Sequence, residues 1–266
     1  MATAAGPLAP RLNDDQLREL LTLSKGADSI ELKLTVPASG QRSALNTLGL
    51  DPLDTHIRQV FFFDTPELTL NDAGIVLRAR RIQNKGEDSV VKLRPVVPQA
   101  LPEEWRQSPA MVVEVDAMPG GFVCSATLKG RPAPGTTRAV HLGQSPIGKL
   151  FNKEQKAFLD AHTAKPVDVD TLTLLGPIFV LKQSFTPTDF NRKLVAELWF
   201  YPDGSRILEL STKCAPAELM QVVTETRLYM GDLGITLHAA QETKTKSALQ
   251  FFAKEAIVGE APAKKS

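Results

Sequence analysis

Residues 29–36 alternate strictly between polar and apolar side chains, which predicts a β-strand with two unlike faces. Every even-numbered position is apolar, whereas Glu31 and Lys33 share the opposite face with Ser29 and Thr35. An acid and a base together on one face are expected to meet other charged groups. Several later segments repeat this pattern with arginine, lysine and acidic residues. The sequence therefore predicts a sheet whose polar side forms a binding site.

Composition indicates an ordinary globular chain. Its 266 residues, 42% of them hydrophobic, suit one large or two small domains. Lys+Arg 31 against Asp+Glu 30 gives a net charge of +1, so we expect neither nucleic-acid nor membrane binding. The first residues lack the apolar core of a signal peptide, and we expect a cytoplasmic protein. Cys124 and Cys214 are expected to be buried thiols.

The order of elements predicts an α+β fold with an antiparallel sheet, because strands follow one another while helices gather between and after them. Asn13 is expected to cap a first helix that buries Leu17, Leu20 and Leu21. We predict one domain over residues 13–255, flexible tails at 1–12 and 256–266, and a helical insertion at about 118–165. The strands are expected at 29–36, 57–64, 75–82, 89–94, 111–116, 170–175, 178–186, 193–201 and 205–213, and later helices at 217–231 and 241–255, the former capped by Gly231.

Like charges recur at alternate positions of single strands, where they share a face. Any one such pair is most simply a solvated surface, but three pairs on separate strands favour a built site. The pairs are Arg78 with Arg80, Lys92 with Arg94, and Glu114 with Asp116.

The segment Pro202-Asp203-Gly204 predicts a three-residue hairpin loop. This register places Glu197 opposite Glu209, whereas a two-residue loop would mix polar and apolar faces. Two facing carboxylates destabilise a sheet unless a cation lies between them, either a basic side chain or a divalent ion, most simply Mg²⁺ or Mn²⁺. The alternative is a solvated outer face.

Several other signals do not support a site. Residues 143–150 resemble a phosphate-binding P-loop, but Leu150 lacks the required hydroxyl and Pro146 lacks an amide donor. The four histidines show no zinc-ligand spacing. The sequence contains neither a dinucleotide fingerprint nor a nucleophile elbow.

The motifs together resemble those of the CYTH superfamily, which contains class IV adenylyl cyclases, thiamine triphosphatases and inorganic triphosphatases. The resemblance begins with Glu31-Leu-Lys33 and spans most of residues 28–250. It continues through Phe62-Phe63-Asp64-Thr65-Pro66, the Arg-x-Arg strand at 78–80 and the Lys-x-Arg strand at 92–94.

The resemblance implies a closed antiparallel β-barrel of about eight strands around a triphosphate tunnel, with helices packed outside. It implies that Lys33 prepares the attacking water, its neutral form favoured by the surrounding basic residues. Mg²⁺ or Mn²⁺ would be held by Glu31, Glu197 and Glu209. The implied phosphate ligands are Arg78, Arg80, Lys92, Arg94, Lys182, Lys213 and either Lys244 or Lys246.

Two positions depart from the pattern of the family. Ser29 and Ser211 stand where the resemblance implies glutamates, so the metal shell is thinner. One Mg²⁺ survives this loss more easily than two, because water and phosphate complete its octahedron. Glu114 and Asp116 would compensate if their strand pointed into the barrel.

Three functions are compatible with these residues. The leading interpretation is a metal-dependent phosphohydrolase of a small inorganic or organic triphosphate. The second is a binding module for triphosphate or polyphosphate that has lost turnover through the two serines. The third is a class IV adenylyl cyclase, for which the sequence identifies no adenine pocket.

Overall fold

In the part of the chain that the structure describes, nine β-strands form the centre of the protein. The computed structural model describes residues 13–237 and 244–259, so the predicted tail at 1–12 and the start of the last predicted helix lie outside the described residues. The strands are β1 (Ser29–Val36), β2 (His56–Asp64), β3 (Ile75–Ile82), β4 (Gly86–Leu93), β5 (Met111–Met118), β6 (Gly121–Gly130), β7 (Thr173–Phe185), β8 (Leu194–Phe200) and β9 (Arg206–Cys214).

These strands close into a barrel in the order β1-β5-β6-β4-β3-β2-β7-β8-β9, with β9 returning to β1. The α+β class and the closed barrel are confirmed. The expectation of a purely antiparallel barrel is wrong, because β1 and β5 run parallel. Alternation predicts the faces of each strand but not the direction of its partner, which depends on the path of the chain between them.

The predicted helical insertion at 118–165 is also wrong in its first part. Residues 121–130 form β6, which pairs with both β4 and β5 and is required to close the barrel. The helices of this region begin only at Thr136. Strand β6 was missed because its buried residues Cys124, Ser125 and Ala126 are consecutive, which obscures the alternation.

Helices surround the barrel. The described α-helices are α1 (Asp14–Ser24), α2 (Gln41–Thr47), α3 (Thr69–Asp72), α4 (Glu103–Arg106), α5 (Thr136–His141), α6 (Lys153–Asp160), α7 (Leu219–Asp232) and α8 (Lys244–Gly259). Short 3₁₀ helices lie at Ala38–Gly40, Pro52–Asp54, Pro98–Ala100, Ile147–Leu150, Val169–Thr171 and Pro216–Glu218.

Asn13 caps α1 as predicted, since its side chain accepts a hydrogen bond from the Gln16 amide at 2.8 Å. Leu20 is buried but Leu21 is exposed, and Leu23 is buried in its place. Helix α7 includes Gly231 in its last turn, and the left-handed residue that follows the helix is Gly234 (φ 66°). Both differences are small shifts in helix phase and length, which local patterns fix poorly.

The larger hydrophobic core lies outside the barrel, between the strands and the surrounding helices. The apolar residues of β1 are all buried there, together with Leu20 and Leu23 of α1 and Phe158 of α6. The polar residues of β1 therefore face the barrel interior. Burial of the outer face is what orients the charged faces inward.

A second hydrophobic cluster involves the C-terminal helix α8. Leu249 and Phe252 of α8 are buried against Val60, Val180 and Trp199, which also line the barrel interior. Helix α8 thus packs against interior side chains at one end of the barrel and leaves the charged part open.

The β8–β9 hairpin has the predicted register. Tyr201 and Ser205 close the three-residue loop through a 3.0 Å backbone hydrogen bond, and Glu197 pairs with Glu209. The two strands predicted at 170–186 are instead the single strand β7, in which the register against β2 shifts between Val60 and Phe62. The irregularity lies beside Gly176 and Pro177, which explains the predicted break.

Candidate functional site

The barrel interior is a charged cavity of about 760 Å³. Among the described residues, eleven basic and five acidic side chains line it, so positive charge is concentrated there in a chain whose net charge is only +1. The basic residues are Lys33, Arg58, Arg78, Arg80, Lys92, Arg94, Lys129, Arg131, Lys182, Lys213 and Lys244, and the acidic residues are Glu31, Asp88, Glu114, Glu197 and Glu209.

The parallel pairing of β1 with β5 creates an acidic cluster at one side of this cavity. It places Ser29 beside Glu114 and Glu31 beside Asp116. Carboxylate oxygens of Glu31, Glu114 and Asp116 all lie within 4.8 Å of one another. The side chains of Glu114 and Asp116 thus face the barrel interior. They lie beside Glu31, on the side of the barrel where Ser29 and Ser211 stand in place of the glutamates that the resemblance implied.

Basic side chains contact each acid of this cluster. The Nζ atom of Lys33 lies 2.7 Å from Oδ1 of Asp116 and 3.3 Å from Oε2 of Glu31. Arg94 contacts the other carboxylate oxygen of Asp116 at 2.8 Å, and Lys213 contacts Glu114. Burial alone would raise the pKa of Asp116, but Lys33, Lys92 and Arg94 hold it at about 2.

The environment of Lys33 differs from the one expected. Burial lowers its pKa, but the charges of Asp116 and Glu31 outweigh this effect and raise the pKa above its ordinary value. The ammonium form is therefore favoured, not the neutral form. The basic neighbours expected to deprotonate Lys33 are less important than the two acids that it contacts.

In a second group of cations, the nearby acids do not outweigh the effect of burial on the pKa. Burial, and then the charge of Arg80, lowers the pKa of Arg78 to about 9. Burial also lowers the pKa of Lys92 to about 8, because Lys33 and Arg94 offset the attraction of Asp116. The Nε atoms of Arg58 and Arg78 are buried without a hydrogen-bond partner. Concentrated cations with unused donors are the features of an anion site.

Other basic residues of the cavity are already paired. Arg80 forms a two-pronged contact with Asp88, at 2.8 Å from Nε and 2.5 Å from Nη2. Lys182 donates to Glu197 at 2.7 Å. These pairs hold the side chains in place before any ligand binds.

The facing carboxylates of Glu197 and Glu209 enclose a basic side chain. The Nζ atom of Lys244, from the first turn of α8, lies 2.6 Å from an oxygen of each. Burial lowers the pKa of Lys244, but these two charges raise it overall. Of the two cations left open by the sequence analysis, Lys244 thus enters the cavity, whereas Lys246 is exposed.

The sequence analysis missed Arg58, which enters the cavity from β2. It alternates with the interior residues Val60 and Phe62, so the face of the strand was readable. A single arginine next to hydrophobic residues gave no charge pair to mark it. The remaining predicted phosphate ligands all line the cavity.

Two sequence motifs have structural explanations. The carboxylate of Asp64 accepts hydrogen bonds from the amides of Thr65, Leu70 and Asn71 at 2.7–2.9 Å, so the Asp-Thr-Pro motif caps the turn before β3. In the segment that resembles a P-loop, the Gly148 amide donates to Asp170 at 2.6 Å. An internal carboxylate occupies that donor, in agreement with the rejection of a phosphate loop.

No protein-family model and no curated protein matches this sequence, but solved structures do. The barrel is similar to that of HpAC1 from Hippeastrum, an adenylyl cyclase candidate with a dominant triphosphatase activity. The TM-score is 0.61 at 19% identity, over 84% of this chain and 95% of that one. An adenylate cyclase candidate from Bacillus halodurans gives 0.55 at 14% identity, over 83% and 97%.

The class defined by the fold and its interior is a closed β-barrel with a charged cavity. More particularly, the chain shares the fold of these two adenylate cyclase candidates, as the resemblance found in the sequence implied. Within the described ranges, no helix has the length and apolar character needed to cross a bilayer.

Proposed function

We propose that this protein is a phosphohydrolase that cleaves a small linear triphosphate within the barrel. The observation that carries the proposal is the group of buried cations around Arg78 and Lys92, whose depressed pKa values mark positive charge without matching negative charge. A triphosphate supplies several negative charges along a chain short enough for the 760 Å³ cavity. Phosphoryl transfer requires mainly positioning and charge neutralisation, and this interior suits both.

The basic residues of the cavity would contribute differently to phosphate binding. Arg58 and Arg78 offer planar forked donors that match phosphate oxygens, whereas Lys92 offers a point charge. Arg80 is oriented by Asp88 and Lys182 by Glu197, so these two bring less uncompensated charge. We infer that the phosphate chain lies nearest to Arg58, Arg78 and Lys92.

The acidic cluster fits a hard divalent cation. Its carboxylates offer the oxygen ligands that Mg²⁺ and Mn²⁺ prefer, from Glu31, Glu114 and Asp116. Such an ion would neutralise charge developing on the phosphate oxygens. Lys33, Arg94 and Lys213 already balance these carboxylates, but phosphate oxygens would attract the same basic groups. Triphosphate and metal are therefore proposed to bind cooperatively.

Lys33 enters this proposal as an ammonium ion. Its contacts with Glu31 and Asp116 orient both carboxylates, and its charge is available to a phosphate oxygen. The preparation of water by neutral Lys33, which the family resemblance implied, is not retained. A reaction with little covalent demand on the protein does not require a strong base at this position.

The cavity favours a substrate without a nucleobase. Among the described residues that line it, Trp199 provides the one aromatic ring. Lys244 lies over that ring, with Nζ 4.9 Å from its centre, and Trp199 is only 5% exposed, so the ring is unavailable for stacking on adenine. We therefore favour inorganic triphosphate over ATP and a hydrolase over a cyclase.

Incubation with inorganic triphosphate, thiamine triphosphate or ATP, with Mg²⁺, Mn²⁺ or a chelator, tests the proposal. We expect metal-dependent release of phosphate, fastest from inorganic triphosphate. Cyclic AMP from ATP would establish a cyclase instead. Thermal stabilisation by triphosphate without phosphate release would establish a binding module.

Triphosphate binding is expected to weaken as the pH rises from 7 to 9.5. The pKa of Lys92 is about 8, so its ammonium is lost across this range and one attraction for the anion is lost with it. Calorimetric titrations in chelator should show this trend. Lys92→Met should bind about tenfold more weakly at pH 7 and lose part of the pH dependence, the remainder being loss of charge at Arg78, opposed by the titration of triphosphate itself. Identical pH profiles for the two proteins would contradict the role of Lys92.

A further inference from the structure

Lys244 lies between two carboxylates that the hairpin brings face to face. Glu197 of β8 pairs directly with Glu209 of β9, and the Nζ atom of Lys244 lies 2.6 Å from each. Without a cation, two facing carboxylates in a sheet repel each other. Of the two kinds of cation that the sequence left open, the structure places a basic side chain between them.

The surroundings hold this ammonium in place. Its side chain is only 11% exposed, and it also lies over the ring of Trp199. The residues that follow on α8, including Ala248 and Leu249, are fully buried in the cluster at the end of the barrel. Packing therefore anchors the helix and fixes the position of Lys244, its first residue.

We propose that the ammonium of Lys244 is a built-in cation that occupies the place of a second divalent ion, so that the protein binds one ion and not two. The single ion belongs to the cluster of Glu31, Glu114 and Asp116. This inference rests on the proposed function in one respect: both place a divalent ion at the acidic cluster. It also accounts for Ser211 on β9: its hydroxyl donates to Glu31 at 3.0 Å and contributes no charge to a second ion.

A tethered ammonium differs from a bound metal in ways that can be measured. It cannot be removed by a chelator, it carries one positive charge instead of two, and it exchanges no ligands. The metal dependence of this protein is therefore that of a single site, with no second, weaker binding step.

Counting bound Mn²⁺ by electron paramagnetic resonance, with and without triphosphate, tests the proposal. The unaltered protein is expected to bind one Mn²⁺ per chain. Lys244→Met is expected to bind two, because Glu197 and Glu209 are then left facing each other without their cation. Lys254→Met, an exposed change on the same helix, should still bind one. Two ions in the unaltered protein, or one in a folded Lys244→Met variant, would overturn the proposal.

One further variant keeps the test decisive if Lys244→Met folds poorly. Glu209→Gln in the otherwise unaltered protein should leave the count at one, whereas a protein that uses Glu209 as a metal ligand would lose an ion. Where Lys244→Met does fold, adding Glu31→Gln should remove the first ion and adding Glu209→Gln the second. Failure of the proposed function is distinguishable, since it would show as absent hydrolysis while these counts hold.

Discussion

Glu31→Gln is expected to lower metal-dependent triphosphate hydrolysis by about 10²–10³-fold, the scale observed when one charge-stabilising group is lost from an active site. Glu31 lies within the acidic cluster beside Asp116, contacts Lys33 and accepts a hydrogen bond from Ser211. Glutamine preserves its size but removes the charge with which Glu31 would hold Mg²⁺ in the proposed function. Initial rates of phosphate release over a range of Mg²⁺ concentrations provide the measurement.

The matched control is Glu67→Gln, an exposed change in the turn before β3. It should leave the rate and its Mg²⁺ dependence unchanged. Full activity of Glu31→Gln at low Mg²⁺ would show that the ion, if one is used, lies elsewhere. A folded Glu31→Gln variant that still binds triphosphate would separate loss of the metal from loss of the substrate site.

Arg78→Met is expected to stabilise the ligand-free protein while it weakens triphosphate binding by about 10–100-fold. Burial and the nearby charge of Arg80 lower the pKa of Arg78 to about 9, so at neutral pH its charge opposes folding. Methionine removes that charge and keeps an apolar stem, for an expected gain of about 1–3 kcal/mol. The lost charge-assisted hydrogen bonds to phosphate explain the lower affinity. Urea unfolding and calorimetry measure the two effects.

The stability gained by Arg78→Met is expected to depend on pH in one direction. A cation whose folded pKa is depressed binds fewer protons in the folded state than in the unfolded state between the two pKa values. Stability of the unaltered protein should therefore rise above about pH 9 at this group, and the advantage of Arg78→Met should shrink there. Arg42→Met, an exposed change on α2, should alter neither stability nor affinity appreciably. A less stable Arg78→Met with unchanged affinity would exclude Arg78 from the anion site.

The local parts of the fold were readable from the sequence. Alternation in β1 placed Glu31 and Lys33 on the interior face, and β3 has the predicted bounds. The loop at 202–204 fixed the register that joins Glu197 to Glu209. Each of these features depends on residues close together in the chain, where side-chain period and turn geometry act directly.

Long-range features were not readable. The parallel contact between β1 and β5, which assembles the acidic cluster, joins segments about 85 residues apart in sequence. Alternation could place Glu114 and Asp116 on one face but could not choose between interior and solvent. The choice between Lys244 and Lys246 required the packing of α8, because both lie in the first turn of that helix.

The neutral form expected of Lys33 differs from the form that its surroundings favour in the structure, for a related reason. Its basic neighbours were visible as motifs, whereas its closest partner, Asp116, comes from a strand whose place beside β1 was unknown. A pKa depends on the nearest charges in space, which sequence motifs identify only when all strand neighbours are known.

The position of α8 couples its packing to the charges of the cavity. Its buried residues Leu249 and Phe252 lie beside Trp199, and its first residue, Lys244, contacts Glu197 and Glu209. A change that loosens this packing would therefore also disturb the charge balance of the interior.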